Sequence, residues 1–244
     1  MTDNAPAWDR YAATYQREIG PPTDVARYGP DIPSEAELRL LGELKGRRVL
    51  DLGCGGGQAA ISFTRQGAIT TGVDLSAEQL AYARRLAETE DVKVEFRQGD
   101  LADLAFLRND SVDLVFSAGA FDFIEDLGRT FRQIHRVLKV GAPLVFSVNH
   151  PATLLFDTDG DEPLAARRSY FDRSPLTRVR AGVELIQYPH TFGDLYMGLA
   201  RSSYRVEQVV EPEPVHAGPR SPAWRDAFRT VPSTLIIKAR KEGN

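Results

Sequence analysis

The chain is 244 residues long, with 34 acidic and 30 basic side chains, a formal net charge of -4 and 42% hydrophobic residues. That length is enough to bury one substantial core, and the mild negative balance lacks the basic face that nucleic acid demands, so a small-molecule partner is expected in place of DNA or RNA. A single cysteine excludes an intrachain disulfide, no apolar run is long enough to span a membrane, and scattered acids occupy the N-terminal stretch where a signal peptide would be apolar; a cytoplasmic protein with no membrane partner is expected.

The first predicted element is a helix carrying Trp8, Tyr11 and Tyr15, with the two tyrosines four apart and therefore on one face. They either pack that helix onto the domain or fold it over a ligand. Leu38, Leu40, Leu41 and Leu44 predict a second helix ending near Gly46. The segment VLDLGCGGG at 49–57 then reads as a short strand buried on both faces, running into a glycine turn that a ligand can approach closely. A helix over 58–66 follows, with its N-terminal amides directed at that ligand. Asp51 is a carboxylate inside an apolar strand, out of place unless something cationic or hydrogen-bonding needs it. A second strand over 68–73 is closed by Asp74, about twenty residues past the glycines, where an acid can accept two ribose hydroxyls. Leu80, Ala83, Leu86 and Ala87 mark the next helical face, and VEFRQGD at 94–100 a third strand ending in Asp100. Acids at the ends of successive strands suit a ligand with a ribose, an exocyclic amine and no phosphate.

SVDLVFSA at 111–118 predicts a fourth strand. Leu127, Phe131, Ile134 and Leu138 place a buried stripe on a helix over 126–139, which Gly141 stops before a fifth strand. Strands over 204–210 and 234–239 are joined by a proline-rich loop. The alternation of strands and helices is that of βαβ units around a mostly parallel sheet. Residues 151–189 have weak periodicity and hold Arg167, Arg168, Arg173, Arg178 and Arg180, which either grip an acidic acceptor or form a solvated face.

In this order, DLGCGGG (51–57), DLS (74–76) and GDL (99–101) resemble the first three motifs of class I S-adenosylmethionine-dependent methyltransferases, in their small-molecule, UbiE-like branch. SVDLVFSA, RVLKVGAPLVFS (136–147) and WDRYAATY (8–15) extend the resemblance over most of the chain. It implies an α/β, Rossmann-like, doubly wound fold: a seven-stranded, mostly parallel sheet with an antiparallel C-terminal edge pair. It also implies one domain over 1–244, with a cap at 1–34 and a substrate cover at 151–189. The implied cofactor is S-adenosylmethionine, and the implied activity is methyl transfer to an oxygen, nitrogen or carbon of a small acceptor. By the same resemblance the methionine part lies over Gly53, Cys54 and Gly55 beside Asp51, the ribose on Asp74, and the adenine near Leu75, Asp100 and Leu101. Gln58, Gln79, Ser117 and Phe121, with Tyr11 and Tyr15 from the cap, complete the implied cofactor contacts.

A nicotinamide or flavin dinucleotide is the competing ligand, because GGGQAA at 55–60 can be forced onto that fingerprint. Against it, no Tyr-x-x-x-Lys pair is present and Asp51 would stand close to a pyrophosphate. No Gly-Lys-Ser or Gly-Lys-Thr follows the glycines, which excludes a P-loop. The third reading is a module that binds the cofactor and transfers nothing. His150, closing the fifth strand before Pro151, and His190, opening a helix over 191–202, are candidate bases, since histidine exchanges protons near neutral pH. The alternatives are a ring that hydrogen-bonds the Pro151 turn and a helix cap. Asp122, just past the fourth strand, is a candidate substrate contact or a solvated loop acid. Cys54 invites a nucleophile reading, yet its place in the turn is not one that chemistry requires. SAGAF at 117–121 lacks the Asn/Asp-Pro-Pro-aromatic form used on planar amides and bases, and no metal-ligand spacing appears. A monomer or simple homodimer is expected.

Overall fold

The computed structural model describes residues 4–156, 165–215 and 218–243; the part of the expected cover at 157–164 and the first three residues of the cap lie outside them. In chain order the strands are β1 (Arg48–Leu52), β2 (Ile69–Asp74), β3 (Glu95–Gln98), β4 (Leu114–Ala118), β5 (Pro143–Asn149), β6 (Leu176–Arg180), β7 (Val183–Gln187), β8 (Tyr204–Val210) and β9 (Thr234–Lys241). The helices are α1 (Ala5–Glu18), α2 (Glu35–Leu38), α3 (Gln58–Arg65), α4 (Ala77–Thr89), α5 (Leu127–Val137) and α6 (Phe192–Arg201). The main sheet has the order β3-β2-β1-β4-β5-β9-β8. Its first five strands are parallel, and β9 pairs antiparallel with both β5 and β8, so the sheet is the doubly wound, seven-stranded one with an antiparallel edge pair.

Strand residues alternate between two apolar layers, as a sheet covered on both faces requires. Leu50, Leu52, Leu144 and Phe146 face the layer of α5 and α6 with Phe131, Ile134, Leu195 and Leu199. Val49, Leu114, Phe116 and Val145 face the other, with Phe63 of α3 and the segment carrying Tyr28, Leu40, Leu41 and Leu44. Strand order reverses between β1 and β4, and ligands of such sheets bind beyond the strand ends at that reversal.

Two elements differ from expectation. The helix expected over Leu38–Leu44 stops after α2, because Arg39 turns into the left-handed region (φ 52°). The Glu35 carboxylate then accepts the amides of Leu40 (3.0 Å) and Leu41 (2.8 Å) and the Tyr28 hydroxyl (2.6 Å), replacing the helical bonds those amides would have made. The leucines are buried all the same. Within the cover, β6 and β7 form a hairpin where weak periodicity gave no strand; its two turn residues, Ala181 (φ 48°) and Gly182 (φ 76°), both have the positive φ of a type I′ turn.

Candidate active site

The turn after β1 is built by backbone bonds that only glycine permits. Gly53 has φ +70°, and a Cβ there would lie 2.2 Å from the Ala120 Cβ; Gly57 has φ +79°, and a Cβ there would lie 2.7 Å from the Phe96 ring. The Gly53 and Cys54 amides donate to the Val73 carbonyl at 2.8 and 3.0 Å, folding the turn back onto β2. Asp74 meets it there: its carboxylate accepts the Gly55 amide (2.8 Å) and the Ser76 amide (2.9 Å). Burial raises its pKa in spite of these two donors. Asp100 accepts the Ala102 amide at 2.8 Å. Each carboxylate keeps lone pairs for a ligand.

These elements open into a cavity of about 900 Å³. Tyr11, Tyr15, Gly53, Gly55, Asp74, Leu75, Gln79, Asp100 and Leu101, all expected at the cofactor, lie on its wall. A volume at the upper end of the range for a single ligand leaves space for an acceptor beside a nucleoside. The donors and acceptors on this wall fit S-adenosylmethionine: paired acids for hydroxyls and an amine, and backbone amides at a turn.

Other expected cofactor residues lie behind that wall. Asp51 is buried, accepts the Ala60 amide, and is raised to about 7 by burial and by the Asp74 charge; its Oδ2 has no partner. Cys54 is buried, and that burial, then the charges of Asp51 and Asp74, raise its pKa and hold the thiol protonated. Ser117 donates to the Leu52 carbonyl at 2.8 Å, tying β4 to β1, and Phe121 packs between Phe131 and Phe146. Gln58 is buried and donates to Gln16.

Neither of the candidate bases, His150 and His190, nor the candidate substrate contact Asp122 is on the cavity wall. The His150 Nδ1 accepts the Ala152 amide (3.1 Å) and caps the turn begun by Pro151, while its Nε2–H donates to Glu211 (2.8 Å). His190 donates from Nε2 to the Ile124 carbonyl (2.7 Å), and burial lowers its pKa; Thr191, not His190, caps α6. Asp122 is buried, raised to about 7 by that burial, and ties three elements together: it accepts the Asn149 amide (3.0 Å) at the end of β5 and the Gln187 side chain on β7, and its carbonyl accepts the Tyr188 amide (2.8 Å).

The rest of the wall is aromatic. Trp8 on α1 stacks edgewise on Phe123 (5.1 Å) and Tyr15 (5.7 Å); burial, then neighbouring Tyr11 and Asp74, push the Tyr15 hydroxyl up to about 12. The same cavity is lined by Tyr188 and, from the β8–β9 loop, Trp224 and Phe228. Arg178 and Arg180 also line it, and Arg178 donates from Nε to the Gln187 side chain (3.1 Å). Arg168 and Arg173 are bound instead by Asp172 and Asp194. Sequence reasoning had no signal for Trp224, Phe228 or Gln16; a glutamine one place after Tyr15 on a helix with a buried face was the only hint of the last.

Residues 50–146 match the family model of a methyltransferase domain. An uncharacterised methyltransferase of Bacillus subtilis is 32% identical over 69% of this chain and 69% of its own. A ubiquinone biosynthesis O-methyltransferase of Alkalilimnicola ehrlichii is 36% identical over 52% of each, so the chain spans about half the length of that relative. The crystal structure of an S-adenosylmethionine-dependent methyltransferase from Mesorhizobium loti superposes with a TM-score of 0.68 at 29% identity, covering 84% of this chain and 96% of that one. With the glycine turn, the acids at the ends of β2 and β3 and the sheet order already in place, these matches make the chain a member of the S-adenosylmethionine-dependent methyltransferase family, an enzyme that uses that cofactor.

Proposed function

We propose that the protein transfers the methyl group to a small, flat acceptor bound among Trp8, Phe123, Tyr188, Trp224 and Phe228. The observation that carries this reading is that one cavity is lined both by the glycine turn and strand-end acids, which suit a nucleoside, and by a set of aromatic side chains from Trp8 to Phe228. The bound cofactor supplies a sulfonium that already activates its methyl group. What the chain has to do is hold the acceptor in line with that bond and exclude water, and proximity and alignment carry much of the rate. In this reading Asp122, His150 and His190 act at one remove: Asp122 fixes the β7 edge of the acceptor wall through Gln187 and Tyr188, His150 the loop after β5, and His190 the entry to α6. Because a relative is a ubiquinone biosynthesis O-methyltransferase, oxygen acceptors are the first to test.

The experiment is transfer of label from methyl-labelled S-adenosylmethionine to a panel of small hydroxylated, amino and carbon-acid aromatics. Label on a small product supports the proposal. Label entering RNA, DNA or protein in place of the panel overturns it, as does cofactor binding without transfer to any member.

A further inference from the structure

Three buried glutamines from three different helices form one hydrogen-bonded chain beside the glycine turn. Gln58, on α3, donates from Nε2 to the Gln16 Oε1 at 2.5 Å; Gln16, on α1, donates from Nε2 to the Gln79 Oε1 at 2.6 Å. Gln58, Gln16 and Gln79 are 6%, 8% and 2% exposed. The Gln16 amide lies flat against the turn, where a Cβ on Gly56 would meet it at 2.6 Å. Gln79 sits in the first turn of α4, just past Asp74 and Leu75, and is the member of the chain that lines the cavity.

A primary amide has a carbonyl end and an NH₂ end, and an amide chain that runs in one direction fixes which end each member shows. Here every bond runs from the NH₂ of one glutamine to the carbonyl of the next. Because the Gln79 carbonyl is engaged by Gln16, the NH₂ is the end of the Gln79 amide left for a ligand. We propose that Gln16 is a positioning residue: without touching the cofactor, it sets the polarity of the Gln79 amide, so that Gln79 donates an N–H to an acceptor atom of the bound nucleoside. The rest of α1 supports the same alignment, since Asp9 accepts the Ser76 hydroxyl (2.6 Å) and the Glu78 amide (3.2 Å) at the start of α4. Cofactor affinity is then partly determined on α1, outside the glycine turn and the strand ends. This rests on the cofactor lying over the glycine turn.

The test is calorimetric binding of S-adenosylhomocysteine, whose uncharged sulfur keeps a new carboxylate from attracting a sulfonium. In Gln16→Glu the carboxylate still accepts from Gln58 but can no longer donate to Gln79, so the Gln79 amide reverses and offers its carbonyl where it had offered N–H. Affinity should fall about tenfold, as it should in Gln79→Leu. The deciding variant is the double one: Gln16→Glu should cost nothing further in the Gln79→Leu background, because its effect passes through Gln79. An equal further loss there means that Gln16 only holds α1 in place, and overturns the proposal. Unchanged affinity in either single variant also overturns it. Gln16→Leu, which breaks the chain without a charge, should give a smaller loss that likewise vanishes in the Gln79→Leu background, so a poorly folding glutamate variant does not decide the matter. Failure of the wild-type protein to bind at all would overturn the cofactor placement itself.

Discussion

Replacing Asp51 by asparagine should stabilise the cofactor-free protein in a pH-dependent way. Burial and the Asp74 charge hold the Asp51 carboxyl at about 7, against an ordinary value of 3.8. The folded protein therefore binds more protons than the unfolded chain between those two values, so its stability is highest below the lower one and falls as pH rises to the upper one. The full cost of ionising Asp51 is about 4 kcal/mol at pH 8 and about 2 kcal/mol at pH 5. Asparagine has no charge to desolvate and keeps an oxygen for the Ala60 amide, but it places an NH₂ where Oδ2 has no partner, which costs about 1 to 3 kcal/mol at any pH. That constant cancels when the variant is compared with wild type at both pH values, as does the titration of Asp122, which both proteins share. Urea unfolding at pH 5 and pH 8 should therefore show the advantage of Asp51→Asn growing by about 2 to 3 kcal/mol between them. An advantage that is the same at both would refute the assignment of this charge to a buried, unpaired site. The expected growth would make the carboxylate an example of stability given up beside a ligand site.

In Asp74→Ala, loss of the strand-end acid and of its grip on the Gly55 amide should weaken S-adenosylhomocysteine binding about a hundredfold in calorimetry; undiminished binding would remove the ribose from Asp74. Gly53→Ala should cost about 2 to 5 kcal/mol by denaturant midpoint, through its positive φ and the Ala120 contact, and Ala120→Gly should restore only part of it; full restoration would show that the backbone is not strained. The Cys54 thiol, buried and held protonated, should react with a disulfide reagent only as the protein unfolds, and Cys54→Ala should keep its activity; rapid labelling of the folded protein would contradict the burial. Both tryptophans of the chain line the cavity, so a bound aromatic acceptor should quench intrinsic fluorescence in wild type and in each single Trp→Phe variant; quenching by neither residue would place the acceptor elsewhere.

The sheet was legible because each of its strands states its own environment. VLDL at 49–52 and PLVFSV at 143–148 are apolar on both faces and are buried on both, and the glycines and Asp74 mark the switch point where the order reverses. Sequence reading went wrong where a side chain far from the pattern took over the backbone. The leucines at 38–44 have helical spacing, but the Glu35 carboxylate, held by the Tyr28 hydroxyl, claims the amides that a helix would use, and hydrophobic spacing carries no record of that competition. The β6–β7 hairpin was hidden for a different reason. Its first turn residue is Ala181, which takes the positive φ usually left to asparagine, aspartate or glycine, so the usual hairpin signal is missing although the strands pair in full register.

The two halves of the cavity differ in legibility for a physical reason. A nucleoside is the same molecule wherever it is bound, so its wall reduces to short motifs at strand ends, and Gly53, Gly55, Asp74 and Asp100 follow one another within a few dozen residues. The wall proposed for the acceptor is gathered from α1, the segment after β4, the hairpin and the β8–β9 loop, elements brought together only by the folded sheet. Trp224 sits in a proline-rich loop with no period to mark it, and its position is set by one contact distant in sequence, Asp31 binding Ser221, and one local contact, Arg220 stacking over the indole at 3.9 Å. The same holds for the glutamine chain, whose members are 42 and 63 residues apart. Each glutamine alone reads as an ordinary polar residue on a helix. Buried together they must satisfy one another, and the direction in which they do so decides what the cavity is offered.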